Sequence, residues 1–105
     1  PKRILSPFMT LGFDSTELAR KDLVAAIHPS DYTVRPQFVD KRYNPSYHDL
    51  ITQFQKLTGI GGLLNTSLNL HGEPIVGNAY DAIHTFLNSE LDVIVINKTA
   101  IIRKK

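Results

Sequence analysis

Residues 44–59 impose the strongest constraint on how this chain can fold. Asn44 supplies a capping amide, Pro45 suits the first helical position, where no N–H is needed, and Gly59 can close the far end. Between them Tyr47, Leu50, Ile51, Phe54 and Leu57 recur at helical spacing on one stripe. A helix of this kind needs a surface to lie on, and the flanking segments read as strands. Residues 8–13 suggest a short strand, followed by a short helix over 15–22 with capping oxygens at Asp14 to Thr16. Residues 32–39 alternate in period two, with Pro36 marking an edge or a bulge. Turn chemistry at 29–31 predicts a hairpin joining them to the apolar run 24–28. Residues 60–64 are apolar and fit a short core strand. A second helix is expected from Asn78, with Asp81 in its first turn and Ala79, Ala82, Ile83, Phe86 and Leu87 facing inward. Residues 92–97 form a continuous apolar run of the kind buried on both faces, and a tight Asn97-Lys98 turn leads to a last strand over 99–102. The resulting order is a mixed α/β (α+β) one, with helices packed on a twisted mixed sheet.

Composition narrows the class. Of 105 residues, 42% are hydrophobic and 21% charged, which excludes a disordered tail, a collagen-like rod and a coiled coil. No uncharged apolar run approaches the roughly 20 residues a bilayer span requires, and no secretory leader is visible. The first residue is Pro, so the chain is expected to be processed or cut from something longer. The absence of cysteine removes disulfides, thiolate zinc sites and cysteine nucleophiles, and fits a cytoplasmic location. The formal net charge of +2 owes much to the ends, Lys2-Arg3 and Arg103-Lys104-Lys105. The interior lacks the basic stripe a nucleic-acid binder uses.

Residues 63–76 are the most informative chemically. A strand end feeding a polar, Gly-containing loop before a helix is where open α/β sheets bind ligands. Thr66 and Ser67 offer hydroxyls, Asn65 and Asn69 offer amides, and successive N–H groups can form an anion nest. Gly72 permits a backbone shape that other residues resist. Composition alone favours a plain surface turn, since these residue types dominate turns. His28, His48, His71 and His84 are scattered without metal-ligand pairing, so no metal is expected. The 40–42 charge cluster reads as solvated, and the glycines of 57–62 lack the P-loop pattern.

The run NTSLNLHGEPIV, residues 65–76, resembles the NTS-x-N-x-x-GEP-IV signature of the C-terminal domain of O-carbamoyltransferases of the nodulation, cephamycin and tobramycin type. SPFM at 6–9, TVRPQFVD at 33–40, NPSYHDLITQFQKLTGIGGLLNTS at 44–67 and DAIHTFLNSELDVIVI at 81–96 resemble further family segments in the same order. The resemblance covers almost all of residues 1–105. It implies a YrdC-like fold, here an incomplete domain, shared with threonylcarbamoyl-adenylate synthases, whose TSAN-x-SG-E loop residues 66–73 also resemble.

The resemblance implies binding of ATP and of a carbamoyl adenylate made from carbamoyl phosphate and ATP, with the carbamoyl group then passed to an acceptor hydroxyl. That transfer belongs to an N-terminal, metal-bearing domain with a sugar-kinase-like fold, which would be this chain's partner. Arg35 and Ser67 are then expected to contact phosphate, and Asn65, Asn69 and Gly72 to shape the nucleotide site. No covalent nucleophile is required, because orientation and charge neutralisation suffice. Glu73 is expected to brace the loop. Leu68 stands where the family has Phe, and Gly77-Asn78 where it often has Thr-Pro. The family's upstream Lys/Arg-rich phosphate segment would precede Pro1. The chain is thus expected to be a C-terminal portion of such an enzyme, inactive alone, with exposed sheet edges that allow self-association. Competing readings are a stand-alone YrdC-like nucleotide- or RNA-binding module and a packing domain whose loop has drifted.

Overall fold

The computed structural model describes residues 5–104, which form two compact units divided between Leu64 and Asn65. Helices alternate with short antiparallel ladders, so the mixed class holds. The strands lie in two separate two-stranded ladders rather than in one mixed sheet.

In the first unit, β1 (Phe13–Asp14) pairs antiparallel with β2 (Thr33–Val34), Phe13 opposite Val34 and Asp14 opposite Thr33. Between them run α1 (Glu17–Asp22) and a single 3-10 turn, Val24–Ala26. The Thr16 hydroxyl caps α1 by accepting from the Ala19 N–H at 3.2 Å. The hairpin expected through 29–31 forms only at its tip, where the His28 N–H donates to the Thr33 carbonyl at 2.8 Å and the Tyr32 N–H to the His28 carbonyl at 2.9 Å. Its supposed first arm is the 3-10 turn, entered directly from α1, and an Ala-rich run has little preference for an extended strand. The chain still reverses there. Asp31 Oδ1 accepts from the Thr33 N–H at 2.9 Å and from its hydroxyl at 2.8 Å, and Tyr32 sits at φ 57°, a left-handed value for a bulky residue. Thr33 then pairs with β1.

Two further strands are shorter than their patterns suggest. The strand expected over 32–39 stops at Val34, because Pro36 has no N–H to give a ladder. Residues 8–10 turn instead of extending, with the Thr10 N–H on the Phe8 carbonyl at 2.9 Å. What joins these segments is Ser6, 1% exposed. Its hydroxyl lies 2.8 Å from the Phe8 carbonyl and 3.0 Å from that of Pro36, sharing one proton between them. Its own carbonyl accepts from the Phe38 N–H at 2.8 Å, and Gln37 Nε2 donates to the Pro7 carbonyl at 2.9 Å. Two segments of the resemblance, 6–9 and 33–40, are therefore laced together by hydrogen bonds outside any ladder.

α2 (Pro45–Thr58) has the ends the sequence predicts. Asn44 Oδ1 accepts from the Tyr47 N–H at 3.2 Å, and Gly59 at φ 81° donates its N–H to the Gln55 carbonyl at 2.8 Å. Its apolar stripe is only half covered: Tyr47, Ile51 and Phe54 are half-buried, whereas Leu50 and Leu57 are exposed. Residues 60–64 form no strand. Gly62 lies against the Leu23 side chain, where an added methyl group would come within 3.1 Å of Leu23 Cδ1, so close approach replaces ladder pairing.

The second unit contains α3 (Ala79–Leu87), β3 (Val93–Ile96) and β4 (Thr99–Ile102). Asn78 Oδ1 caps α3 through the Asp81 N–H at 3.0 Å, and Asp81 Oδ2 accepts from the Gly77 N–H at 3.1 Å. β3 and β4 are antiparallel, Val93 opposite Ile102 and Ile96 opposite Thr99, across a turn with Asn97 at φ 56°. Ala82, Phe86 and Ile94 make the core, with Leu68, Val76 and Ile96 packed on it. The inward face of α3 is Ala82, Thr85 and Phe86; Ala79, Ile83 and Leu87 are exposed, contrary to expectation. β3 is buried on one face only, Ile94 being 6% and Val95 65% exposed, because α3 covers a single side of the two-stranded ladder.

Arg103 closes the end of this unit. Its guanidinium donates to the carbonyls of Phe86, Ser89 (2.9 Å) and Leu91 (3.0 Å) and lies 4.8 Å from the centre of the Phe86 ring. A cation there satisfies carbonyls at the C-terminus of α3 and opposes its dipole. Among the described residues no helix is long and apolar enough to cross a membrane.

Candidate functional site

The loop between Asn65 and α3 is built on itself. The Ser67 hydroxyl donates to Asn69 Oδ1 at 2.7 Å. Asn69 Nδ2 donates to the carbonyls of Leu70 and Glu73, both at 3.1 Å. The Glu73 N–H returns to the Leu70 carbonyl at 3.0 Å, closing a four-residue turn with Gly72 third in it at φ 85°. A type II turn requires that left-handed third residue. A methyl group at Gly72 would meet nothing within 4 Å, so backbone conformation, not crowding, selects glycine. The Val76 N–H donates to the Leu68 carbonyl at 3.1 Å, and both side chains enter the Phe86 core. Leu68 is thus the loop's apolar anchor.

Ser67, Asn69 and Gly72 are brought together in this turn, and Asn65 is exposed where the loop begins. Asn69 uses its whole amide on the loop. Ser67 is exposed, with its one proton on Asn69; to donate to a ligand it must turn from that acceptor. Arg35 belongs to the first unit, one residue past β2. It is exposed and makes no hydrogen bond or ion pair among the described residues.

Two features escaped sequence reasoning. Glu73 Oε1 lies 3.8 Å from His84 Nε2 on α3, and the loop and helix border a hollow of about 330 Å³ lined by Glu73, Pro74, Ile75, Val76, Tyr80, Asp81, His84 and Thr85. Glu73 and His84 are separated by a loop and a helix start, so no sequence period links them. Elsewhere, Asp40 accepts from the Arg42 backbone N–H at 2.8 Å and from its guanidinium at 2.5 to 3.0 Å. These bonds push the Asp40 carboxyl down to about 2. Hydrogen bonds from Thr33 hold Asp31 below the usual carboxylate range. No three His, Asp or Glu side chains gather as a metal site among the described residues.

Helices, short antiparallel ladders and a self-braced polar loop ahead of α3 define a small chain of mixed α/β class. Residues 2–104 match the carbamoyltransferase C-terminus family, and the chain belongs to it. The nodulation protein NolO of Bradyrhizobium diazoefficiens is 43% identical over 90 residues, covering 86% of this chain and 16% of that protein. NolNO of Sinorhizobium fredii is 40% identical over 90 residues, covering 86% of this chain and 13% of its own length. A protein of Methanocaldococcus jannaschii named only as uncharacterized is 41% identical over 100 residues, covering 95% of this chain and 19% of its own. The chain therefore spans less than a fifth of the length of these curated relatives.

Proposed function

We propose that this chain supplies part of the ATP and carbamoyl-adenylate site of an O-carbamoyltransferase, in which carbamoyl phosphate is activated for transfer to an acceptor hydroxyl. The observation that carries this reading is the turn around Gly72, held by Asn69, in a chain of the carbamoyltransferase C-terminus family. Such a turn presents the Ser67 hydroxyl at low conformational cost, because the loop's own hydrogen bonds brace it. A phosphate oxygen would take the Ser67 proton in place of Asn69 Oδ1, a neutral acceptor exchanged for an anionic one. The Arg35 guanidinium, exposed and uncommitted among the described residues, is suited to a bidentate phosphate contact. Asn65, Asn69 and Gly72 shape the site, and the N-terminal transfer domain of the longer protein supplies the acceptor site.

The test is calorimetric titration of ATP into a protein of the relatives' length that carries this sequence, compared with Arg35→Ala and Ser67→Ala. Ser67→Ala is expected to weaken binding by about tenfold, the loss of one charge-assisted hydrogen bond, and Arg35→Ala, which removes a bidentate contact, by at least as much. Equal affinity in all three would remove both residues from the site. The 105-residue chain alone is expected not to turn over carbamoyl phosphate with ATP, and robust turnover by it would sink the reading.

A further inference from the structure

The 330 Å³ hollow between residues 73–76 and α3 has a distinct chemical character. Its charged lining groups are Glu73 and Asp81, with the His84 imidazole beside Glu73, and among the described residues no Lys or Arg lines it. Its apolar wall is Pro74, Ile75 and Val76. A pair of carboxylates does not make a site. Thr85 supplies a second, independent observation. This residue is 3% exposed, lines the hollow, and its hydroxyl has no hydrogen-bond partner among the described residues. A mid-helix threonine ordinarily returns its hydroxyl to a carbonyl one turn back, as Thr52 and Thr58 do on α2 at 2.8 Å. Among the described residues no buried polar side-chain atom is sealed without a partner, so the Thr85 oxygen keeps some accessible surface, and Thr85 lines the hollow.

We propose that this hollow binds an alkylammonium group. Glu73, the free oxygen of Asp81 and the Thr85 hydroxyl are all acceptors, and an ammonium brings three donors and the complementary charge. The alkyl chain lies along Pro74, Ile75 and Val76, and the volume falls within the range of small-ligand pockets. Anions are excluded by the two carboxylates, so this site is separate in chemistry from the phosphate contacts proposed for Ser67 and does not depend on them. Free amines and lysine side chains share the chemistry.

The experiment is an amide-resolved NMR titration of the 105-residue chain near neutral pH with n-butylamine, n-butanol and butyrate as probes. Butylammonium is expected to give saturable shifts at Val76, Tyr80, His84 and Thr85, at least tenfold tighter than butanol, with no shift from butyrate. Glu73→Gln is expected to weaken butylammonium binding about fivefold while leaving the spectrum folded, and Thr85→Val to do so without altering the charge. Tighter binding of an Nα-acetyl-lysine amide than of butylamine assigns the site to a protein side chain, and the reverse assigns it to a free amine. Butanol binding as well as butylammonium, butyrate binding at all, or an unchanged affinity in Glu73→Gln would each overturn the proposal. Should Thr85→Val unfold, Glu73→Gln, whose side chain is 45% exposed, still decides.

Discussion

The Ser67 hydroxyl gives its proton to Asn69 Oδ1 at 2.7 Å, and Asn69 in turn spans the Leu70–Glu73 turn with both of its Nδ2 contacts. Asn69 is therefore the structural member of the pair and Ser67 the available one. Asn69→Ala is expected to cost about 1 kcal/mol of stability, the net worth of hydrogen bonds at a partly exposed site. It should also speed amide exchange at Glu73 and Val76, whose N–H groups close the loop. Ser67→Ala should leave both exchange rates within twofold of the parent. Equal exchange in the two variants would mean that the brace is not Asn69.

Gly72 is tested by backbone conformation alone. Gly72→Ala meets no atom, so its cost is that of φ 85° in an L residue, about 1 kcal/mol. Gly72→Asn should recover much of this, because Asn tolerates left-handed backbone. Urea midpoints in the order Gly, Asn, Ala would confirm the reasoning, and an Ala variant as stable as the parent would contradict it.

How far the sequence disclosed this structure depends on whether the determinant was local. Both caps of α2 and the Asn78 cap of α3 were legible, since Asn44, Pro45, Gly59 and Asn78 act within one turn of themselves. The polar turn at 65–76 was legible for the same reason, as was the 97–98 reversal. Strand partners were not. Thr33 has its ladder partner in Asp14, nineteen residues back, and Pro36 is tied to Ser6, thirty residues away, by a side chain. The one-sided burial of β3 was hidden too, because Val93 and Val95 are as apolar as Ile94 and Ile96. In the candidate site, residue types were readable, but the meeting of Glu73 with His84 depends on how the loop folds back on α3.

Arg103 reads in the sequence as part of a basic tail, yet its guanidinium serves three carbonyls beyond and within the last turn of α3. Arg103→Ala should destabilise the second unit by about 1–2 kcal/mol, through lost charge-assisted hydrogen bonds and lost packing on Phe86. Arg103→Lys keeps the charge but not the fork, and should recover less than half. Lys104→Ala should do nothing measurable. Thermal melts of the three variants make the comparison, and a Lys variant equal to the parent would reduce the contact to charge alone.

Asp40 couples stability to acid. Its carboxyl titrates at about 2 when folded, against an ordinary 3.8, because Arg42 donates to it from side chain and backbone. With the folded value lowered, the unfolded chain takes up the proton first. The stabilisation is therefore present above about pH 4 and is lost as pH falls toward 2. The pair is solvent-exposed, so the effect is small and salt-sensitive. Carbon-detected NMR should find the Asp40 midpoint near 2, and Arg42→Ala should return it toward 3.8. A midpoint that ignores the substitution would assign the depression to some other neighbour.

The two helices differ in what their apolar stripes accomplish. Phe86 of α3 is 4% exposed and packs with Ala82 and Ile94, so Phe86→Ala removes much of a small core and should cost about 3 kcal/mol or more. Leu57 of α2 sits on an equally regular stripe but is 85% exposed, and Leu57→Ala should shift stability by less than about 0.5 kcal/mol. Periodicity alone would rank the two substitutions as equals; burial separates them by several-fold. Urea denaturation of both variants decides between the two rankings. A Leu57→Ala loss approaching that of Phe86→Ala would show that α2 buries its stripe in solution.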